Sequence, residues 1–257
     1  MESRKKSEKK HWDRFWKRSP DVEQVYDNEQ RVTSHFCEVD SPEGLTVLEV
    51  GSGSGRDGIL FSRMGAKVIS LDYSREALDL VKSQLREEDS VYLCCGDAFE
   101  LPFRDGTFDL VFHQGLLEHF RNPGDMIEEH RRVLRKGGYL LVDVPQRYHY
   151  YTFLKHLLIW MGKWFAGWET EFSVRELEEL LRRHRFSIEK SYGEWLNPPI
   201  WFRMARKALA GVGVRVPMNP GVFAFLRRMF SGLRSFLLSR RAALYSTVVI
   251  GTIGKKE

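Results

Sequence analysis

Residues 47–58 read VLEVGSGSGRDG. An apolar, β-branched run ends beyond an acid and breaks at once into glycines at 51, 53 and 55. Such a run forms a buried strand. The glycines form a tight strand-to-helix turn, because a residue without Cβ takes left-handed angles freely and lets another group come close to the backbone. The helix that follows offers unpaired N–H groups at its start. The stretch therefore commits the chain to an α/β fold with a ligand at the carboxyl end of a parallel strand.

The rest of the chain repeats that alternation. Strands are predicted at 45–50, 67–71, 91–95, 108–113 and 138–144, with helices between them at 55–64, 74–87 and 122–135. Ser74 offers an N-cap oxygen, and Lys136-Gly137-Gly138 stops the third helix. Residues 8–37 read as one or two helices with Trp12, Phe15, Trp16, Val22, Val25 and Tyr26 on their apolar faces. After Pro145 come an aromatic insert, a helix at 173–184, a strand at 186–192, helices at 199–210 and 221–240, and a last strand at 245–253. The domain reading is a helical extension over 1–40 and one domain over 41–257, with an aromatic insert at 146–172 and a basic helical insert at 195–242.

Charge is unevenly shared. From Trp195 to Glu257 there are 11 Lys and Arg against one acid, whereas residues 1–194 hold 29 basic and 34 acidic residues. The last quarter is therefore a cation. The N-terminus is charged without an apolar core, and no run of about 18 apolar residues follows, so a cytoplasmic protein is expected. Cys37, Cys94 and Cys95 have no metal-ligand spacing and are expected to be buried thiols.

The glycine spacing separates two nucleotide classes. A dinucleotide fingerprint needs glycine where Arg56 stands, and a carboxylate at Glu49 repels a pyrophosphate but can receive an ammonium. With Glu49-x-Gly51-x-Gly53-x-Gly55, the run VISLDYS, the run GDAFELPF, and the blocks FDLVFHQGLLEHF and VLRKGGYLLVDVP, residues 45–145 resemble the class I S-adenosylmethionine-dependent methyltransferases. The resemblance implies a Rossmann-like, doubly wound α/β sheet of seven strands, mostly parallel with an antiparallel last strand, plus helical N-terminal and cap additions. It implies S-adenosyl-L-methionine as cofactor, held by Glu49, Gly51, Ser52, Gly53, Gly55, Asp72, Tyr73, Asp97, Ala98 and Gln114. It also implies that Trp12 and Trp16 close over that cofactor.

Methyl transfer from a sulfonium needs alignment and dryness, and a base only where the acceptor must lose a proton. His119 and His113 are the candidates for that base, each with a structural alternative as a core histidine. Tyr148, Tyr151 and Trp168 are candidates for the acceptor pocket, with Tyr148 and Tyr151 on one helical face if a helix starts there. No N-P-P-Y motif follows the fourth strand, which disfavours a nucleic-acid base as acceptor. Helix 221–240 mixes Phe and Leu with arginines, and packs as a cap, touches an anionic membrane or meets a polyanion such as nucleic acid. The expectation is a methyltransferase acting on O, N or C of a small or lipophilic molecule. Its alternatives are a non-catalytic cofactor-binding subunit that docks a partner or membrane through its basic tail, and an NAD(P)-dependent oxidoreductase.

Overall fold

A computed structural model describes residues 9–18, 30–161, 169–195, 200–211 and, of 212–257, all but 212, 215, 218–220, 222–224, 226, 227 and 239. Seven strands form one sheet: β1 Thr46–Val50, β2 Lys67–Asp72, β3 Val91–Cys95, β4 Phe108–Gln114, β5 Leu134–Pro145, β6 Phe186–Glu194 and β7 Val249–Lys256. Their order is β3-β2-β1-β4-β5-β7-β6, with β1 to β5 mutually parallel and β7 antiparallel to both of its neighbours. The order reverses between β1 and β4, so a crevice opens at the carboxyl ends of those two strands.

The central strands are mostly apolar, because helices cover both faces. The helices of the chain's described residues are α1 Lys9–Arg18, α2 Arg31–Phe36, α3 Arg56–Arg63, α4 Arg75–Gln84, α5 Gly124–Val133, α6 Tyr150–Trp160, α7 Val174–Arg183, α8 Ile200–Gly211 and α9 Ser231–Leu238. One core joins Leu48, Val50 and Val111 to Met126, Ile127, Leu177 and Leu181 of α5 and α7. The other joins Val47, Val68 and Phe112 to Val32 and Phe36 of α2 and Phe61 of α3. Ser74 caps α4 by accepting the Ala77 N–H, and Ser173 with Glu176 forms a capping box that starts α7.

Several expectations shift. The third helix ends at Val133 rather than 135, and β5 begins at Leu134, paired with Phe108, before an irregularity leads to the Leu110–Tyr139 register. The last strand starts at Val249, not 245, because the Ala-rich run Arg241–Ser246 winds into a 3-10 helix and β-branching begins only at Thr247. Of the helix expected at 221–240, the described regular part is α9. Residues 19–29 of the expected N-terminal helices lie outside the described residues. The cysteines are not all buried: Cys37 follows α2 in an exposed turn, and Cys95 points outward from β3, the edge strand.

Candidate functional site

At the end of β1, Gly51, Gly53 and Gly55 have φ of +65°, +52° and +67°, the left-handed values anticipated for the turn. The loop is pinned from beneath. Ser52 N–H donates to the Leu71 carbonyl at 3.0 Å, and Gly53 N–H donates to Asp72 Oδ2 at 2.9 Å. The other oxygen, Asp72 Oδ1, accepts the Ser74 N–H at 2.9 Å, so one carboxylate at the end of β2 fixes both the glycine loop and the start of α4. Burial outweighs these donors and raises the Asp72 pKa.

Glu49 stands beneath the loop. It is opposite Ser70 in the β1–β2 register, and its Oε2 accepts the Ser70 hydroxyl at 2.8 Å while Oε1 accepts the Gly58 N–H at 3.4 Å. Burial first, then nearby Asp57, pushes its pKa up to about 8. These bonds tie it to β2 and to the first turn of α3.

The remaining cofactor candidates converge on the same end of the sheet. Tyr73 follows Asp72 and is half-buried. Asp97 Oδ1 accepts the Phe99 N–H at 3.0 Å in the loop after β3, which places Ala98 and Phe99 against the core. Gln114 ends β4, in register with Asp143 near the end of β5. His113, one residue earlier, faces the opposite side of the sheet, as strand alternation requires. It is fully buried, with its ring 5.3 Å from that of His130 on α5. His119 stays at the strand end, in the 3-10 turn Leu117–His119, edge-on to Trp12 at 5.1 Å between ring centroids.

Helix α1 brings the N-terminal tryptophans to this end. It packs on α4, and a Cβ built at Gly53 would lie 2.6 Å from the Trp16 ring. The acceptor candidates are less concentrated. α6 starts at Tyr150, so Tyr148 precedes it, exposed and 6.0 Å from the Tyr245 ring. Tyr151 is half-buried in the first turn, and the two tyrosines share no helical face. Trp168 lies outside the described residues.

A buried polar network beside the loop went unforeseen. Arg31 of α2 holds Asp143 through two bonds of 2.8 and 3.0 Å, and the Tyr192 hydroxyl donates to Asp143 Oδ2 at 3.0 Å. In the orientation its neighbours dictate, the Gln114 amide donates to Asp57 Oδ2 at 2.9 Å and accepts from Arg31. Burial works against the Arg31 charge, but Asp143 more than restores it. The available signals are Asp57, two residues past Gly55, and Asp143 near the end of a predicted strand.

Two observations test whether these residues fit an adenosyl amino acid. The glycine cradle is one that side chains would fill, and Ser52 Oγ is buried there without a hydrogen-bond partner. The comparisons agree. A family model described as a methyltransferase domain matches residues 48–142. A probable S-adenosylmethionine-dependent methyltransferase of Mycolicibacterium smegmatis is 31% identical over 179 residues, which are 70% of this chain and 62% of that protein. The chain spans less than two thirds of the length of the curated relatives it matches. Among solved structures, a SAM-dependent methyltransferase from Thermotoga maritima superposes with a TM-score of 0.63 at 16% identity, covering 96% of this chain and 99% of that one. The magnesium protoporphyrin IX methyltransferase of Synechocystis PCC 6803, solved with bound SAH, superposes with a TM-score of 0.60 at 13% identity, covering 96% and 93%. With its sheet order, its glycine turn and these matches, the chain carries a methyltransferase domain's signature over residues 48–142 on the fold of the S-adenosylmethionine-dependent methyltransferases it resembles.

Proposed function

We propose that the chain transfers a methyl group from S-adenosylmethionine to O, N or C of a small or lipophilic acceptor. The observation that carries this reading is the tie between Asp72 and Gly53, which presents three left-handed glycines and the end of β2 to one ligand. Glu49, Gly51, Ser52, Gly53 and Gly55 would hold the amino acid part, Asp72 and Tyr73 the ribose, Asp97 and Ala98 the adenine, with Gln114 alongside. The bound cofactor supplies a methyl group already activated by the positive sulfur. The chain's own contribution is then to align the acceptor and exclude water. Trp12 and Trp16, packed at His119 and Gly53, serve that exclusion. His119 is placed to take a proton where the acceptor carries one.

The acceptor class is supported by what lies beyond β5. α6 exposes Tyr150, Phe153, Leu157 and Trp160 at helical spacing, and α9 exposes Leu233, Phe236 and Leu237 with Arg240 stacked 4.7 Å from the Phe236 ring. Such faces suit an apolar molecule, and they favour a second role in peripheral contact with an anionic membrane. Among the described residues no helix is long and apolar enough to cross a membrane.

Incubation with methyl-labelled cofactor and a fractionated lysate tests the reading. Label in the organic-extractable fraction is expected, and label confined to nucleic acid contradicts it. For the membrane contact, flotation with vesicles containing anionic lipid is expected and should weaken on Phe153→Ser with Trp160→Ser. Equal flotation with neutral vesicles would count against it.

A further inference from the structure

The turn after β4 holds a carboxyl that the cofactor cradle does not use. Glu118 is 4% exposed, and its Oε2 has no hydrogen-bond partner. Its Oε1 faces Gly115, where a built Cβ would lie 3.5 Å away. The neighbouring Leu116 lies against Gly51, its Cδ1 2.9 Å from a Cβ built there, so this turn adjoins the glycine loop.

The insert packs on the same turn. Thr170 N–H donates to the Glu118 carbonyl at 2.8 Å and brings Glu169 and Glu171 with it. Both carboxylates lie 2.7 Å from Lys155 Nζ, on a side chain that is fully buried in α6. His156 Nε2 is 2.8 Å from Glu171 Oε2, but its ring is half exposed. From the sheet, Asp143 is matched by Arg31, and His119 lies against Trp12. Among the described residues, Lys155 is thus the ammonium that Glu169 and Glu171 share, and Glu118 Oε2 lies buried beside this group without a partner. Burial and the charge of Glu169 raise the Glu118 pKa well above the carboxylate range, and Lys155 offsets this only in part. A positive charge brought to this end of the sheet favours the ionised form of Glu118.

We propose that Glu118 is the proton-exchanging group of this site: it is protonated in the free protein, ionises when a ligand brings a positive charge to the end of β4, and takes up a proton when that charge disappears. The proposal rests on the cofactor reading. On methyl transfer the acceptor's lone pair forms the new bond to carbon, the carbon–sulfur pair goes to sulfur, and the sulfonium charge is lost. The proton released from the acceptor N–H or O–H, taken first by His119, ends on the Glu118 carboxylate. Charge and protons balance with no further reactant.

The test is calorimetric titration of the full chain with S-adenosylmethionine and with S-adenosylhomocysteine, each in two buffers of different ionisation enthalpy, to count protons exchanged. The charged ligand should release close to one proton more than the neutral one, and Glu118→Gln should abolish the difference. In the wild type alone, the ratio of the two affinities should shift toward the charged ligand with rising pH, by up to tenfold per unit. Equal proton counts, a pH-independent ratio, or a difference that survives in Glu118→Gln overturns the proposal. Failure of both ligands to bind the wild type overturns the cofactor reading itself, and the proposal with it.

Discussion

The indole of Trp16 lies on Gly53, so close that a Cβ at that glycine would come within 2.6 Å of the ring. Helix α1 is thereby coupled to the residue that Asp72 holds through its amide at 2.9 Å. Gly53→Ala meets two obstacles, the +52° backbone angle and the ring. Each should contribute on the order of 1 kcal/mol. In a double-mutant cycle by chemical denaturation, Trp16→Ala should recover the steric share and leave the backbone share.

Lys155 is the buried counter-charge of two acids. Lys155→Met leaves Glu169 and Glu171 facing each other, at an expected cost of about 3–5 kcal/mol. Adding Glu169→Gln and Glu171→Gln should restore more than half of it in urea unfolding. If the single substitution proves neutral, the ion pairs do not hold the insert in place.

Arg31 engages Asp143 through two nitrogens. Arg31→Lys keeps the charge and loses the fork, so a loss of about 1–3 kcal/mol is expected. Tyr192→Phe removes one donor to the same carboxylate and should cost about 1 kcal/mol. Because they share Asp143, the two effects should not add.

Stability should fall on both sides of a pH optimum, for separate reasons. Burial lowers His130 to about 3 from an ordinary 6.5, and lowers His113 well below that value too. Below about 6.5 the unfolded chain binds more protons than the folded one, so this contribution is full above that pH and is lost as pH drops toward 3. Glu49 acts in the opposite direction. Its folded value near 8 exceeds the ordinary 4.5, so its contribution is full below about 4.5 and is lost as pH rises through 8. Denaturant unfolding from pH 4 to 9 should show a maximum between these limbs. Glu49→Gln should flatten the alkaline limb and His130→Phe the acid one.

Much of this molecule is legible in its sequence because local rules act on it directly. The alternation of apolar runs with capped helices places five strands within a few residues, and left-handed glycines at 51, 53 and 55 follow from the one residue type that accepts such angles. Strand alternation settles less when ends are uncertain. With β4 continuing to Gln114, His113 turns into the core, a fact that depends on register rather than on composition. Glu49 reads as a cofactor acid from its place beside the glycines, whereas its bond to Ser70 across the sheet depends on strand register, which no local pattern gives. The Arg31–Asp143 pair spans 112 positions, and no local pattern signals a partner so distant. Lys155 within FLKHLLIW is a lone cation in an apolar run, a sign of a buried ion pair whose partners only the fold reveals.

The central claim is that the glycine loop and Asp72 form one site for an adenosyl amino acid. Calorimetric titration with S-adenosylhomocysteine, comparing the wild type with Asp72→Ala after circular dichroism has confirmed that the variant is folded, addresses it most directly. Removal of this buried acceptor deprives both the loop and the ligand of a partner, and affinity should fall by about tenfold to a hundredfold. Equal affinity in the two proteins, or no binding by the wild type, would contradict the claim.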